Sequence, residues 1–320
     1  MKRVMVAAGL AAGLVFWAPA GAQTKPTVPV IVSDAPAAYW QAVLAGARKA
    51  GLDLGANVVE LTGKADLDAG GQAGLLDKAM AANPAAIVIA PAQFTAMGKS
   101  IDEAAKKVKI VAIGSAPETK SIVSVVATDN VKAGQMAADA LALAIKKSYA
   151  ESEGDVALIT ARPGVAALDQ RAQGFKATIA EKYRALDISA DKVADGKPAT
   201  AVDIMNDLIA HSVDLRGVFA SDTVMAEAVG QAISAKKNGD KINVIGVGAD
   251  DALVDLLKRD VIAGLVLEDP FRIGYESVKT ALAAAKGEQV AASIDTGATL
   301  VTKANIASAR SQELLNPKVN

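Results

Sequence analysis

Mostly apolar runs of four to six residues recur along the chain, separated by longer amphipathic stretches. The runs at 27–32, 57–61, 85–90 and 109–113 are rich in Val and Ile, with few polar breaks. Such runs predict strands covered on both faces, as in a parallel sheet flanked by helices. Between them, 37–51, 67–82 and 95–107 space their apolar residues at helical intervals and predict helices. In the first of these, Trp40, Val43, Leu44 and Ala47 form one inward stripe. Tyr39 leaves that stripe, because neighbours on a helix point about 100° apart. Two large rings thus stand together at the end of the first strand of a chain with only 3% aromatic residues.

The pattern then restarts. A strand-like passage at 124–130 leads into a long helix at 131–150, and 155–161 begins a second series. A helix is predicted over 165–183, and strands at 216–221 and 241–248. Residues 86–114 and 217–248 share one order: apolar strand, helix, Lys-Lys pair, strand, Gly. Repeated strand–helix–strand units define an α/β fold of the doubly wound kind. Two similar halves without a Pro, Ser or Gly-rich linker predict two α/β lobes with parallel sheets, facing each other across a cleft. Ligands of open parallel sheets sit beyond the carboxyl ends of the strands, so every loop after a strand is a candidate site segment.

Composition narrows the setting. Met1-Lys2-Arg3, an apolar stretch at 4–17 and Ala20-Gly21-Ala22 together read as a signal peptide, 1–22, with the mature chain starting near Gln23. An uncleaved anchor is the alternative, although the stretch is short for a membrane span. Without Lys2 and Arg3 the 34 basic residues fall to 32 against 35 acidic, an even balance with no basic block. That argues against nucleic acid as a partner. The chain has no Cys, which excludes disulfides, thiolate metal sites, a Cys nucleophile and a lipid-anchored start. A periplasmic location is expected.

Catalytic signatures fail. Residues 96–100 end like a phosphate loop, but Gln93 stands where its first Gly is needed. Residues 246–251 begin like a dinucleotide turn, but Asp251 replaces the third Gly and would repel a pyrophosphate. The one His, His211, sits near a predicted helix end, which leaves no His-based metal site or Ser-His-Asp triad. No cofactor, metal or catalytic residue is expected, and the chain is not expected to be an enzyme.

Several passages, in order over some 270 residues, resemble the periplasmic binding proteins of sugar ABC importers, the ribose/galactose-type group. They are the first strand with its paired aromatics and helix (30–51), Ala86–Pro91, Val125–Leu141, Leu168–Phe175, Gly217–Val229, Asp260–Val278 and Asp295–Ile306. The resemblance implies a type I periplasmic binding fold: two Rossmann-like lobes joined by a three-segment hinge and closing on a small ligand. The crossings would fall near Thr128–Asn130, Glu268–Pro270 and Asp295–Ala298. The N-terminal lobe would be 23–129 plus 269–296, and the C-terminal lobe 130–268 plus 297–320. The implied partners are a small-molecule ligand and an inner-membrane ABC permease, with a chemoreceptor or sensor kinase as the alternative and a monomer as the expected state.

By the same resemblance, Tyr39 and Trp40 match the paired aromatics that sandwich a sugar, and Ser33 matches a polar position of the first loop. Arg171 matches a basic residue of the helix start, Asp222 an Asn that binds hydroxyls, and Glu268 a Gln. The pattern breaks elsewhere. Asp169 replaces a second Arg, Gly114-Ser115 replaces Asp-Arg, Gly248 replaces an Asp, Ala37 an Asn and Gly196 an aromatic. The ligand-binding candidates are therefore Ser33, Asp34, Tyr39, Trp40, Gln93, Ser115, Asp169, Arg171, Asp222 and Glu268. The alternative for Trp40 is core packing against Val43 and Leu44, and Asp222 could simply cap the helix that follows it. Carboxylates outnumber the one Arg, which leaves two ligand classes open: a sugar, polyol or derivative, and a small amine held against the rings by cation–π contact.

Overall fold

The computed structural model describes residues 25–32, 38–63, 69–91, 96–236 and 242–317. Its strands form two six-stranded sheets. The first contains β1 (Thr27–Val32), β2 (Asn57–Thr62), β3 (Ala86–Ile89), β4 (Lys109–Ile113), β5 (Ser124–Ala127) and β11 (Ser293–Asp295). The second contains β6 (Gly154–Thr160), β7 (Leu186–Val193), β8 (Leu215–Ala220), β9 (Asn243–Val247), β10 (Gly264–Glu268) and β12 (Ala298–Val301). Read from one edge, the first runs β2-β1-β3-β4-β5-β11 and the second β7-β6-β8-β9-β10-β12. The two orders are the same through five strands, which is the two-fold repetition predicted from the chain. All pairings are parallel except β10 with β12.

The predicted strands emerge where full burial demanded them. Val28–Val32, Ala86–Ile89 and Ile110–Ile113 are buried at every position. β2 differs, with Asn57, Glu60 and Thr62 exposed, because it is an edge strand. Edge strand β7 was not predicted: its burial pattern is largely exposed and it carries Asp187, Asp191 and Lys192. Helix α6 (Pro198–His211) was anticipated only at its end beside His211, and α8 (Asp251–Lys258) and α10 (Ala309–Leu315) went unpredicted.

Each lobe holds one backbone-to-backbone helix pair. In the first, α1 (Ala38–Leu54) lies against α9 (Pro270–Ala285). A Cβ on Gly274 would stand 1.8 Å from the Val43 carbonyl oxygen, and one on Gly46 would stand 1.9 Å from that of Phe271. In the second, Gly134 of α4 (Asn130–Tyr149) and Gly174 of α5 (Ala166–Lys182) meet backbone in the same way.

The chain passes between the sheets three times: from β5 to α4, from β10 to α9, and from β11 to β12. The first and third passages are tied together. The Asp129 amide donates to Asp295 Oδ1 (3.0 Å), and Lys132 Nζ reaches Asp129 Oδ2 (2.9 Å) and Asp295 Oδ2 (3.4 Å). The Lys132 amide, and after it the Lys132 ammonium, hold the Asp129 carboxyl below its usual range against burial and Asp295. Burial pushes Asp295 up, but the Asp129 and Gly297 amides and Lys132 outweigh it.

Candidate functional site

Strand ends from both sheets converge on a cleft of about 600 Å³, within the ~300–1,000 Å³ common for small-molecule sites. From the first sheet come Tyr39 and Trp40 after β1, Ala90 and Pro91 after β3, and Gly114 and Ser115 after β4. From the second come Leu168 and Arg171 after β6, Asp222 and Thr223 after β8, Gly248 to Asp251 after β9, and Glu268 at the end of β10. This is where a doubly wound parallel sheet presents its loops to a ligand.

Tyr39 and Trp40 both line the cleft, their rings edge to face with centroids 5.0 Å apart. Both also touch the core of the first lobe. Helical spacing turns them to different faces, but both occupy the first turn of α1. Helical side chains lean toward the N-terminus, so rings in that turn overhang the helix end. Burial, and then the Glu268 carboxylate, push proton loss from the Tyr39 hydroxyl well above its ordinary range, with Arg171 opposing. Tyr39 therefore keeps its proton and faces the charged pair of the other lobe.

Arg171 is buried, and three of its five N–H groups are engaged by the protein. Its Nε donates to Asn130 Oδ1 (2.7 Å), Nη1 to the Ser221 carbonyl (2.9 Å) and Nη2 to Glu268 Oε2 (2.8 Å). One turn further along α5, Phe175 stacks on Phe219 of β8, with centroids 4.8 Å apart. That stack and the Gly174 contact with the Val131 carbonyl lock α5 in place and aim Arg171. The guanidinium so orders Asn130 at the first passage and Glu268 at the second.

Asp222 combines both readings open to it. Its Oδ1 caps α7 (Thr223–Ser234) by accepting from the Met225 amide (3.0 Å), and the residue also lines the cleft. Burial raises its pKa above 3.8, against the backbone donors and Arg171 that favour the charge. Asp250 repeats the device one strand on, capping α8 through the Leu253 amide (2.8 Å) while facing the cleft with Asp251. Neither Asp250 nor Asp251 was a candidate. The Asp-Asp pair before an apolar stretch was a helix-cap signal, read only against the dinucleotide turn. Gly248 explains the missing acid before them: its φ is +89°, and a Cβ there would lie 2.0 Å from Thr223 Oγ1.

Of the other candidates, Ser115 lines the cleft. Asp169 does not: it is exposed and accepts from the Gly164 amide (3.1 Å), closing the loop before α5. Ser33, Asp34 and Gln93 lie outside the described residues, as does the segment 1–22 expected to be a signal peptide. His211 ends α6 in solvent beside Asp207. Among the described residues no cluster of His, Asp or Glu could hold a metal. A larger concavity of about 1,000 Å³ lies between the start of α9 and α10, but its Asp269, Arg310 and Glu313 are paired with one another.

Two α/β lobes of matching strand order, with a ligand-sized cleft between their strand ends, define a type I periplasmic binding fold. The family model for the periplasmic binding protein domain matches residues 28–289, and the chain belongs to that family. The ribose import binding protein RbsB of Haemophilus influenzae is 26% identical over 278 residues, covering 85% of this chain and 90% of that protein. A carbohydrate transporter solute binding protein from Agrobacterium radiobacter, solved in complex with D-arabinose, is 50% identical with a TM-score of 0.85. It aligns over 92% of this chain and all of that one. An ABC transporter solute binding protein from Agrobacterium vitis, bound with α-D-tagatopyranose, is 26% identical with a TM-score of 0.82. That match covers 91% of this chain and 99% of the other.

Proposed function

We propose that the protein captures a monosaccharide between its lobes and hands it to an ABC permease. The observation that carries this is the composition of the cleft: a two-ring wall from one lobe opposite carboxylates and a guanidinium from the other. Rings stack on the C–H faces of a sugar, while charged groups make the strongest hydrogen bonds to its hydroxyls. Tyr39 and Trp40 supply the first function. Asp222, Asp250, Glu268 and Arg171 supply the second, with Ser115, Ser33, Asp34 and Gln93 completing the loops of the first lobe. D-Arabinose is the first sugar to test, because the relative at 50% identity was solved with it.

Capture needs no covalent step. A ligand that touches both lobes stabilises the closed arrangement by its differential affinity, and the closed form docks on the permease. The lobes of this reading are 23–129 plus 269–296 and 130–268 plus 297–320, turning about the three passages as a monomer. Residues 1–22 act as a cleaved signal that delivers the chain to the periplasm. Docking on a chemoreceptor or sensor kinase is the alternative outlet for the closed form. A thermal-shift screen of monosaccharides, polyols and small amines tests the reading, since a ligand binding only the native state raises Tm by mass action. A rise with D-arabinose or another monosaccharide is expected. A rise confined to amines would transfer the cleft carboxylates to a cationic ligand, and no rise at all would contradict capture.

A further inference from the structure

The chain does not end with the last sheet strand. Beyond β12, helix α10 returns to the cleft, and Leu314, Leu315 and Pro317 form part of its lining. This is a built wall. Leu314 is buried in the core of the second lobe, and Leu315, Leu168 and Ala249 pack against the same core. Arg310 Nη2 binds Asp269 Oδ2 (2.7 Å), so α10 is clamped to the second passage right beside Glu268. Asp269 in turn caps α9 through the Arg272 amide (2.9 Å). The side chains of Leu314 and Leu315 and the Pro317 ring offer no hydrogen-bonding group, while the hydroxyl-reading groups come from the strand ends.

Resting on the sugar reading above, we infer that the C-terminal segment sets specificity: it receives the hydroxyl-poor end of a monosaccharide and disfavours a hydroxymethyl group there. A hydroxyl turned toward Leu315 and Pro317 would leave water without gaining a partner from those side chains. The preferred class is a pentose or a 6-deoxy sugar. D-Arabinose in its pyranose form, L-fucose and L-galactose form a matched set. They share the configuration of three ring hydroxyls and differ only in carrying H, CH₃ or CH₂OH on the remaining ring carbon.

Calorimetric titration of the three sugars into the wild-type protein, Leu315→Ser and Pro317→Ser tests this, with each melting curve recorded. The wild type should bind L-fucose about tenfold or more tightly than L-galactose, and each folded variant should bring that ratio toward one. A wild-type ratio near one, or an unchanged ratio in variants that melt like the wild type, overturns the inference. So does a wild type that binds other monosaccharides but none of these three, which leaves the sugar reading intact. A wild type that binds no monosaccharide overturns both. If Leu315→Ser fails to fold, Pro317→Ser, which follows the helix, decides.

Discussion

Asp222 shows how one side chain can serve fold and ligand together, and it makes a sharp pH prediction. Burial raises its pKa above 3.8, so its contribution to stability is fully present below the unfolded value and lost as pH rises through the folded one. Asn caps helices as well as Asp. Asp222→Asn should therefore be at least as stable as the wild type near neutral pH, with the difference vanishing as pH falls below 4. Urea melts across that range check the sign. Arg171 works the other way. Removing it in Arg171→Met leaves Glu268 without its cation and Asn130 and Ser221 without their donor, and breaking a buried pair of this kind costs about 3–5 kcal/mol. Equilibrium unfolding measures it. Tyr39→Ala and Trp40→Ala should each weaken sugar binding by about 0.5–1.5 kcal/mol from lost ring contact, read by titration calorimetry.

Elements were legible in the sequence in proportion to their burial. The central strands β1, β3 and β4 are mostly Val and Ile because both faces are covered, and the repeated strand–helix–strand order exposed the two lobes. The edge strand β7 and helix α8 escaped, and α6 showed only its end, because polar edge positions and mixed faces look like loop. The site was half legible. Rings beside a strand end announced a cleft, but Asp250 and Asp251 reach it through a turn in which Gly248 takes a positive φ, and their pairing spoke only of a helix cap. The close helix pairs were silent too: Gly46 and Gly274 sit inside ordinary amphipathic patterns. Gly274→Ala must push the α1 backbone away from α9, and such overpacking costs about 1–3 kcal/mol. A lower urea midpoint with an unchanged slope would show it.

At the scale of the whole molecule, the strongest statement is the repetition itself. Two sheets with the same five-strand order aim their carboxyl ends at one another, so ligand groups from both lobes meet in a single cleft. The three passages are not loose strings: Asp129, Lys132 and Asp295 tie two of them, and Arg171 spans from the first to the second. Motion between lobes would then be a turn about a braced strip. Trp40 is the only Trp apart from Trp17, so a chain beginning at Gln23 reports on the cleft from one fluorophore. Its emission should shift saturably with sugar.

The central claim is that the cleft between the strand ends binds a monosaccharide, and titration calorimetry of D-arabinose, followed by a monosaccharide panel, into the wild type and into a Trp40→Ala, Asp222→Ala double variant tests it most directly. One-to-one saturable binding to the wild type is expected, with at least about tenfold weaker binding to the double variant. No saturable heat with any monosaccharide, or equal affinity in a folded double variant, would contradict it.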